Sequence, residues 1–190
     1  MKSPFDHFSI LAPFYEHFIH YEISQRFIAL LDAAADGIVL DAGGGTGRVA
    51  QYLRDRVAQI VVADETFKML QEARAKDGLN PTCCHIEDMP FKDNSFDRIL
   101  MVDAFHHMSN QAQTIKEMWR VLAPGGRIII EEPDVRVFGV KLLALGEKLA
   151  LMRSHFLTPA EIASLFGTDA RVRIEAEDSA AWIIAEKGIN

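Results

Sequence analysis

From Gly37 onward the chain alternates short runs of β-branched and aliphatic residues with longer amphipathic stretches, and this alternation most restricts what it can fold into. Parallel strands need a crossover of a dozen or more residues, usually a helix, so the pattern points to βαβ units and a mostly parallel sheet. Strands are expected at residues 38–41, 60–64, 83–86, 99–103 and 127–131, with helices at 48–55, 67–76 and 111–122. Residues 171–177 and 181–186 have strand composition without a long helix between them. An antiparallel hairpin on the sheet edge is therefore expected, giving about seven strands. Thr158-Pro159-Ala160-Glu161 is a capping box with proline at the first helical position, which starts a helix running to about Leu165. Pro124-Gly125-Gly126 predicts a tight turn into the fifth strand.

A length of 190 residues suits a single domain with a sizeable core. Twenty Lys and Arg against 27 Asp and Glu leave a formal charge of −7, with no basic run to neutralise a phosphate backbone. Nucleic acid is therefore not the expected partner. Cys83 and Cys84 are sequence neighbours, a spacing that staples nothing, so they read as reduced core thiols. Pro4, Asp6 and His7 interrupt any secretory signal, and Lys141, Glu147 and Lys148 break the longest apolar stretch. A cytoplasmic protein with no integral membrane segment is expected.

In an open parallel sheet, ligands lie beyond the carboxyl ends of the strands. These tips carry Asp41 with its glycines, Asp64-Glu65, residues 85–88, 103–107 and 131–134, so the notable polar residues share one rim. The segment Val39-Leu40-Asp41-Ala42-Gly43-Gly44-Gly45-Thr46-Gly47 is the strongest signal, because glycines let backbone turn sharply and approach a ligand closely. It departs from the dinucleotide fingerprint, since Arg48 stands where the third glycine or alanine belongs, and no Gly-Lys-Ser/Thr of a P-loop follows. A carboxylate at the strand end would repel a pyrophosphate and hold an ammonium group. Asp64 follows 23 positions later at the next strand end, where a carboxylate can accept both hydroxyls of a ribose.

VLDAGGGTGR, VVADETFKML, IEDMPFKDNSFDRILMVDAFHHM and EMWRVLAPGGRIIIEE together resemble the successive motifs of class I S-adenosylmethionine-dependent methyltransferases. They are most similar to the type 11 branch that includes the ubiquinone/menaquinone C-methyltransferases. The resemblance runs from about Gly37 to Glu132 and implies a Rossmann-like α/β fold with helices on both faces of the sheet. It divides one domain into an N-terminal helical cap (1–36), a cofactor-binding core (37–132), and substrate-side helices with the terminal hairpin (133–190). It implies that Asp41, Gly43, Gly45 and Gly47, with Thr46 beside them, hold the methionine part of S-adenosylmethionine, that Asp64 holds the ribose hydroxyls, and that Glu65 is among the cofactor-binding residues. His85, Ile86, Glu87, Asp88 and Met89 would bracket the adenine. His85-Ile86 replaces the usual Asp or Asn followed by Ala. Asp103 is placed to contact cofactor or substrate, and Tyr15 matches a tyrosine of the family's capping segment.

Methyl transfer from a sulfonium needs a base only when the acceptor must lose a proton. His106 and His107, on the fourth tip, are the candidates for that role. His17 and His20 share a helix face but lack a third ligand, so no metal is expected. Phe5, Phe8, Phe14, Tyr15, Phe18, Tyr21 and Phe27 crowd the first 27 residues, as a buried helix face requires. The apolar segment 137–156 suits closure of a greasy pocket, a homodimer contact, or a membrane surface. The expectation is methyl transfer to a small, apolar, quinone-like acceptor. The alternatives are a methyltransferase-like binding protein without activity and a nicotinamide-dependent reductase.

Overall fold

The computed structural model describes residues 23–136, 154–177 and 180–189. Seven strands occur there: β1 (Ile38–Ala42), β2 (Gln59–Asp64), β3 (Leu79–Cys83), β4 (Phe96–Val102), β5 (Leu122–Pro133), β6 (Ala170–Glu177) and β7 (Ala180–Lys187). They form one sheet in the order β3-β2-β1-β4-β5-β7-β6. β1 to β5 are parallel, while β7 enters antiparallel between β5 and β6. The helices are α1 (Gln25–Leu31), α2 (Phe67–Arg74), α3 (Gln111–Val121) and α4 (Pro159–Ser164). The chain builds outward from β1 to β3, then returns to place β4 on the other side of β1. That reversal opens a crevice beyond the β1 and β4 tips, where an open α/β sheet takes its ligand.

The central strands are apolar on both faces because both are covered. Leu40, Ile99, Met101, Ile128 and Ile130 join one core with Ile115 and Met118 of α3 and Ile162 of α4. Val39, Val62, Leu100, Val102 and Ile129 join the other with Phe27 and Leu31 of α1 and Leu53. Strand alternation sends successive residues to opposite layers, which explains why these strands read as continuous aliphatic runs. The C-terminal carbonyls of α1 are met by guanidinium groups of the sheet. Arg98 donates to Leu31 O and Asp32 O, and Arg127 donates to Leu30 O, holding this helix against β4 and β5.

Three expectations need correction. The third strand is Leu79–Cys83 rather than 83–86, although it contains Pro81. It is an edge strand, where a missing N–H need not break a ladder, so proline is tolerated. His85 and Ile86 consequently lie in the loop beyond it. The expected helix at 48–55 is reduced to turns around a 3-10 segment, Ala50–Tyr52. Groups that would close a regular helix are diverted, since Arg48 O accepts from the Gln51 side chain and Ala50 N–H serves the Asp41 carboxyl. The fifth strand begins at Leu122, not 127, because Leu122 already pairs with Phe96 across a register shift. The hairpin and the capping box match expectation: Thr158 N donates to Glu161 Oε2 at 2.7 Å, and Glu161 N to Thr158 Oγ1 at 3.3 Å.

Ile129 is fully buried in mid-sheet, whereas Ile174 on the edge strand β6 is exposed. Ile129→Ala should therefore cost about 2–5 kcal/mol, and Ile174→Ala less than about 0.5 kcal/mol. Urea unfolding of the two variants, compared at equal m-value, measures both.

Candidate functional site

At the β1 tip the backbone must leave the sheet and turn back within a few residues. Gly43, Gly45 and Gly47 all adopt left-handed φ, at 70°, 54° and 72°. Gly43 and Gly47 are also confined, because a Cβ would lie 2.8 Å from Ala104 Cβ and 2.6 Å from Leu79 Cδ1, respectively. The sequence reading passed over Gly44, which lies against Asp41: a Cβ there would fall 2.6 Å from the Asp41 carboxyl. Gly43 N and Gly44 N both donate to Ala63 O of β2, and Lys76 Nζ donates to Thr46 O. The loop is thereby fastened to the neighbouring strand and to the residues after α2.

Asp41 is buried, and burial pushes its carboxyl up to about 7, the Arg48 charge opposing the rise and the Asp64 charge adding to it. Among the described residues its Oδ2 has no hydrogen-bond partner. Arg48, which the sequence presented as a mismatch to the dinucleotide fingerprint, is buried and holds Asp103 Oδ2 at 3.0 Å. It ties the glycine loop to the β4 tip, where Asp103 itself takes a left-handed φ of 52°. Such a side chain gave no local sequence signal, because its partner is 55 residues away.

Asp64 ends β2 with both oxygens engaged. Oδ2 accepts from Gly45 N at 2.9 Å, and Oδ1 from Thr66 N at 2.7 Å. Burial raises its pKa, and these backbone donors oppose the rise. Glu65 Oε2 and His85 Nδ1 stand 3.0 Å apart across the β2 and β3 tips, both exposed. Beyond them, Ile86 and Met89 are buried in the core. Glu87 Oε1 accepts from Ser109 N and Asn110 N at the start of α3. Met89 N donates to Glu117 Oε1, and Arg120 binds Glu117 together with the carbonyls of Met89 and Phe91. This network pins residues 85–91 to α3. Against the expected core packing, Cys83 at the end of the edge strand β3 is exposed, and Cys84 is half-buried against the core, its thiol pushed up to about 11 by burial.

The fourth tip forms a 3-10 turn, Phe105–His107. His106 is buried and its Nδ1 lies 2.6 Å from Glu132 Oε2, while Glu132 Oε1 accepts from Phe105 N at 2.8 Å. Phe156 stacks on the His106 ring, with centroids 4.3 Å apart and planes 12° apart. His155 N donates to His106 O, and Gln111 Nε2 holds His155 O. Residues 154–157 thus close over the histidine pair. His107 is half-buried, and burial with the adjacent His106 pushes its imidazole down to about 3. Glu132 was missed as a functional candidate, although strand alternation separates it from Glu131. Glu131 faces the other side of the sheet and accepts from Trp182 Nε1 at 2.7 Å.

The structure therefore brings Asp41, the glycine loop with Thr46, Asp64, Asp103, His106 and His107 to one rim, with Glu65 and His85 at its β3 side. Tyr15, His17, His20 and most of segment 137–156 lie outside the described residues. Among the described residues there is no group of three or more metal-ligating side chains, and no helix is long and apolar enough to cross a membrane.

Because Asp41 holds its proton more tightly folded than unfolded, its contribution to stability is complete below about pH 4 and is lost as pH rises through about 7. Asp41→Asn should therefore gain in Tm relative to the parent between pH 5 and 8, by several degrees. Paired thermal melts across that range test the sign.

Residues 40–130 match a family described as a methyltransferase domain. The demethylmenaquinone methyltransferase of Deinococcus radiodurans is 36% identical over 111 residues, covering 53% of this chain and 46% of that protein. The ubiquinone/menaquinone biosynthesis C-methyltransferase UbiE of Geotalea daltonii is 32% identical over 143 residues, covering 66% and 60%. The chain spans about half the length of such curated relatives. In structure it is similar to a chain of the Haloferax volcanii complex between the Trm112 methyltransferase activator and a putative methyltransferase. That match has a TM-score of 0.82 at 19% identity, covering 98% of this chain and all of the other. YcgJ of Bacillus subtilis matches at TM-score 0.75 and 18% identity, over 86% of this chain and 97% of that one. A dinucleotide-binding sheet of the Rossmann type runs parallel to its sixth strand, which the antiparallel β7 rules out here. With the motifs, sheet order and relatives in agreement, residues 40–130 are similar to the methyltransferase-domain family and the chain carries the class I S-adenosylmethionine-dependent methyltransferase fold.

Proposed function

We propose that this chain transfers a methyl group from S-adenosylmethionine to a small, apolar, quinone-like acceptor. The observation that carries the reading is the buried Asp41 Oδ2, unpartnered among the described residues, beneath a glycine loop at the point where the strand order reverses. An uncompensated buried carboxylate is costly, and a cation is the ligand that offsets that cost. The residues fit the cofactor: a carboxylate for its ammonium group, close-approach backbone at Gly43 and Gly45, and a second carboxylate one strand away for its ribose. Asp64 accepts one backbone N–H at each oxygen and the Thr66 side chain as well, which leaves acceptor capacity on the carboxylate for a ribose hydroxyl. The relatives named for ubiquinone and menaquinone biosynthesis support the acceptor class, and the −7 charge disfavours a nucleic acid.

When bound, the sulfonium supplies both the methyl group and its leaving group. The protein's work is alignment and exclusion of water, which lower the barrier by several kcal/mol. Arg48 fixes the distance between the glycine loop and the β4 tip through Asp103. Residues 154–157 close over the side on which an acceptor would lie, presenting Phe156 and the neutral His107. Asp64 and Thr66, hydrogen-bonded to each other through backbone and carboxylate, keep the ribose end rigid.

Calorimetry with S-adenosylmethionine and S-adenosylhomocysteine tests the reading. Binding is expected, weakened about 10- to 100-fold in Asp64→Ala, as loss of charge-assisted hydrogen bonds entails. Because a cationic ligand favours the ionised Asp41, affinity should rise by up to about tenfold per pH unit toward pH 7, with a proton released on binding. Absence of binding to both compounds would refute the proposed function.

A further inference from the structure

The strand order leaves two edges, β3 and β6, and their outward backbone groups differ. At β3, Cys84 N donates to Asp64 O of β2, so alternation turns position 81 outward, and the proline there offers no N–H to a further strand. At β6 no proline stands in the way. Asp103 N donates to Glu131 O, which directs the Glu131 backbone toward β4. Glu131 pairs with Trp182, so the Trp182 backbone faces β6, where it meets Glu175. Val172, Ile174 and Ala176 therefore turn their N–H and C=O groups away from β7, and among the described residues no strand receives them. Ile174, in the middle of this row, is apolar and β-branched, yet 42% exposed.

We propose that two copies of this chain pair along β6, antiparallel about a twofold axis at Ile174, so that one sheet runs through both. The strand is antisymmetric in charge about that residue, reading Arg171-Val172-Arg173-Ile174-Glu175-Ala176-Glu177. Antiparallel pairing about Ile174 sets Arg173 of each copy opposite Glu175 of the other, position 171 opposite 177, Val172 opposite Ala176, and Ile174 opposite itself. The outward-facing residues thus meet one another, and each such pair exchanges both of its N–H···O bonds. The next registers that keep outward groups facing bring Arg173 against Arg173, or Glu175 against Glu175, and like charges directly opposite are destabilising. Charges on an edge strand ordinarily deter pairing. Here the two signs are divided between the halves of the strand, which selects one register and leaves the contact attractive. Within one chain Arg173 already holds Glu186 at 2.9 Å, and Glu175 holds Arg26 at 2.8 Å. Their side chains still keep 43% and 27% of their surface exposed, so each can take a second partner of opposite charge. A single strand from each copy makes a small isologous interface, and the dimer is accordingly concentration-dependent. β5 and β7 separate β6 from β4, so the pairing does not use the cofactor rim and stands apart from the methyl-transfer reading.

Sedimentation equilibrium of the full chain, from about 1 μM to about 1 mM, reads the association, the upper end being where a weak specific contact still registers. A monomer–dimer equilibrium is expected. Ile174→Pro removes an N–H that β7 does not use, a position where an edge strand tolerates proline, and should abolish the dimer while circular dichroism shows a folded chain. Ile174→Lys keeps every backbone group and sets like charges at the axis, which guards against a folding defect in the proline variant; it should weaken association about tenfold or more. Arg173→Glu and Glu175→Arg each place like charges opposite one another and should weaken self-association by a similar factor. Mixing these two variants restores opposite charges at both pairs, and the mixed dimer should recover to within about threefold of the parent affinity. A purely intrachain role for the two side chains would leave the mixture as weak as its components. A monomer at every concentration would overturn the proposal. So would a dimer that persists in both Ile174 variants, which would place the contact elsewhere, or a mixture no tighter than its parts. The unfolding comparison at Ile174 applies to the dilute, unpaired chain.

Discussion

The Asp64 carboxylate joins the cofactor loop to the sheet. One oxygen takes the Gly45 amide across from β2, the other takes the Thr66 amide just ahead of α2, so a single side chain sets the spacing of three segments. Two half-buried charge-assisted bonds are among the stronger polar contacts available to a protein. They join the Ala63 carbonyl and Lys76 in selecting one conformation for the left-handed turns at Gly43, Gly45 and Gly47. In the proposed function the same carboxylate also receives the ribose, so that fastening and recognition would fall to one residue.

Around this junction the acidic groups of the rim are differently balanced. Asp103 has a guanidinium, Glu132 has an imidazole and a backbone amide, and Asp41 retains an oxygen with no partner among the described residues. Burial raises Asp41, Asp64 and Glu132 alike, but their partners differ. The contrast is one of satisfaction: a buried carboxylate with an oxygen left over costs more than one whose oxygens are both engaged. His106 and His107 are similarly unequal, the first hydrogen-bonded to a carboxylate and the second held neutral by burial.

The apolar layers make these balances possible. A sheet covered on both faces keeps β1, β4 and β5 in fixed register, and their tips deliver the cofactor loop, the histidine turn and Glu132 to adjacent positions. The Arg98 and Arg127 contacts to the end of α1 secure one covering helix from below. The Arg120–Glu117 network secures the loop that brackets the proposed adenine end. Rigidity of this kind is what methyl transfer asks of its scaffold, since alignment supplies much of the rate.

The sequence by itself determined the α/β alternation, the glycine loop, Asp41 and Asp64, the terminal hairpin and the capped α4, because each is written in local spacing. Edge position rescued Pro81 as part of a strand, and diverted hydrogen bonds dissolved the expected helix after Arg48; both depend on neighbours distant in the chain. Only the tertiary structure decided that Arg48 binds Asp103 and that Glu132, not Glu131, meets His106. Local patterns follow from bonds between nearby residues. A carboxylate's partner, and hence its chemistry, is settled by which strands lie side by side and which face each residue takes.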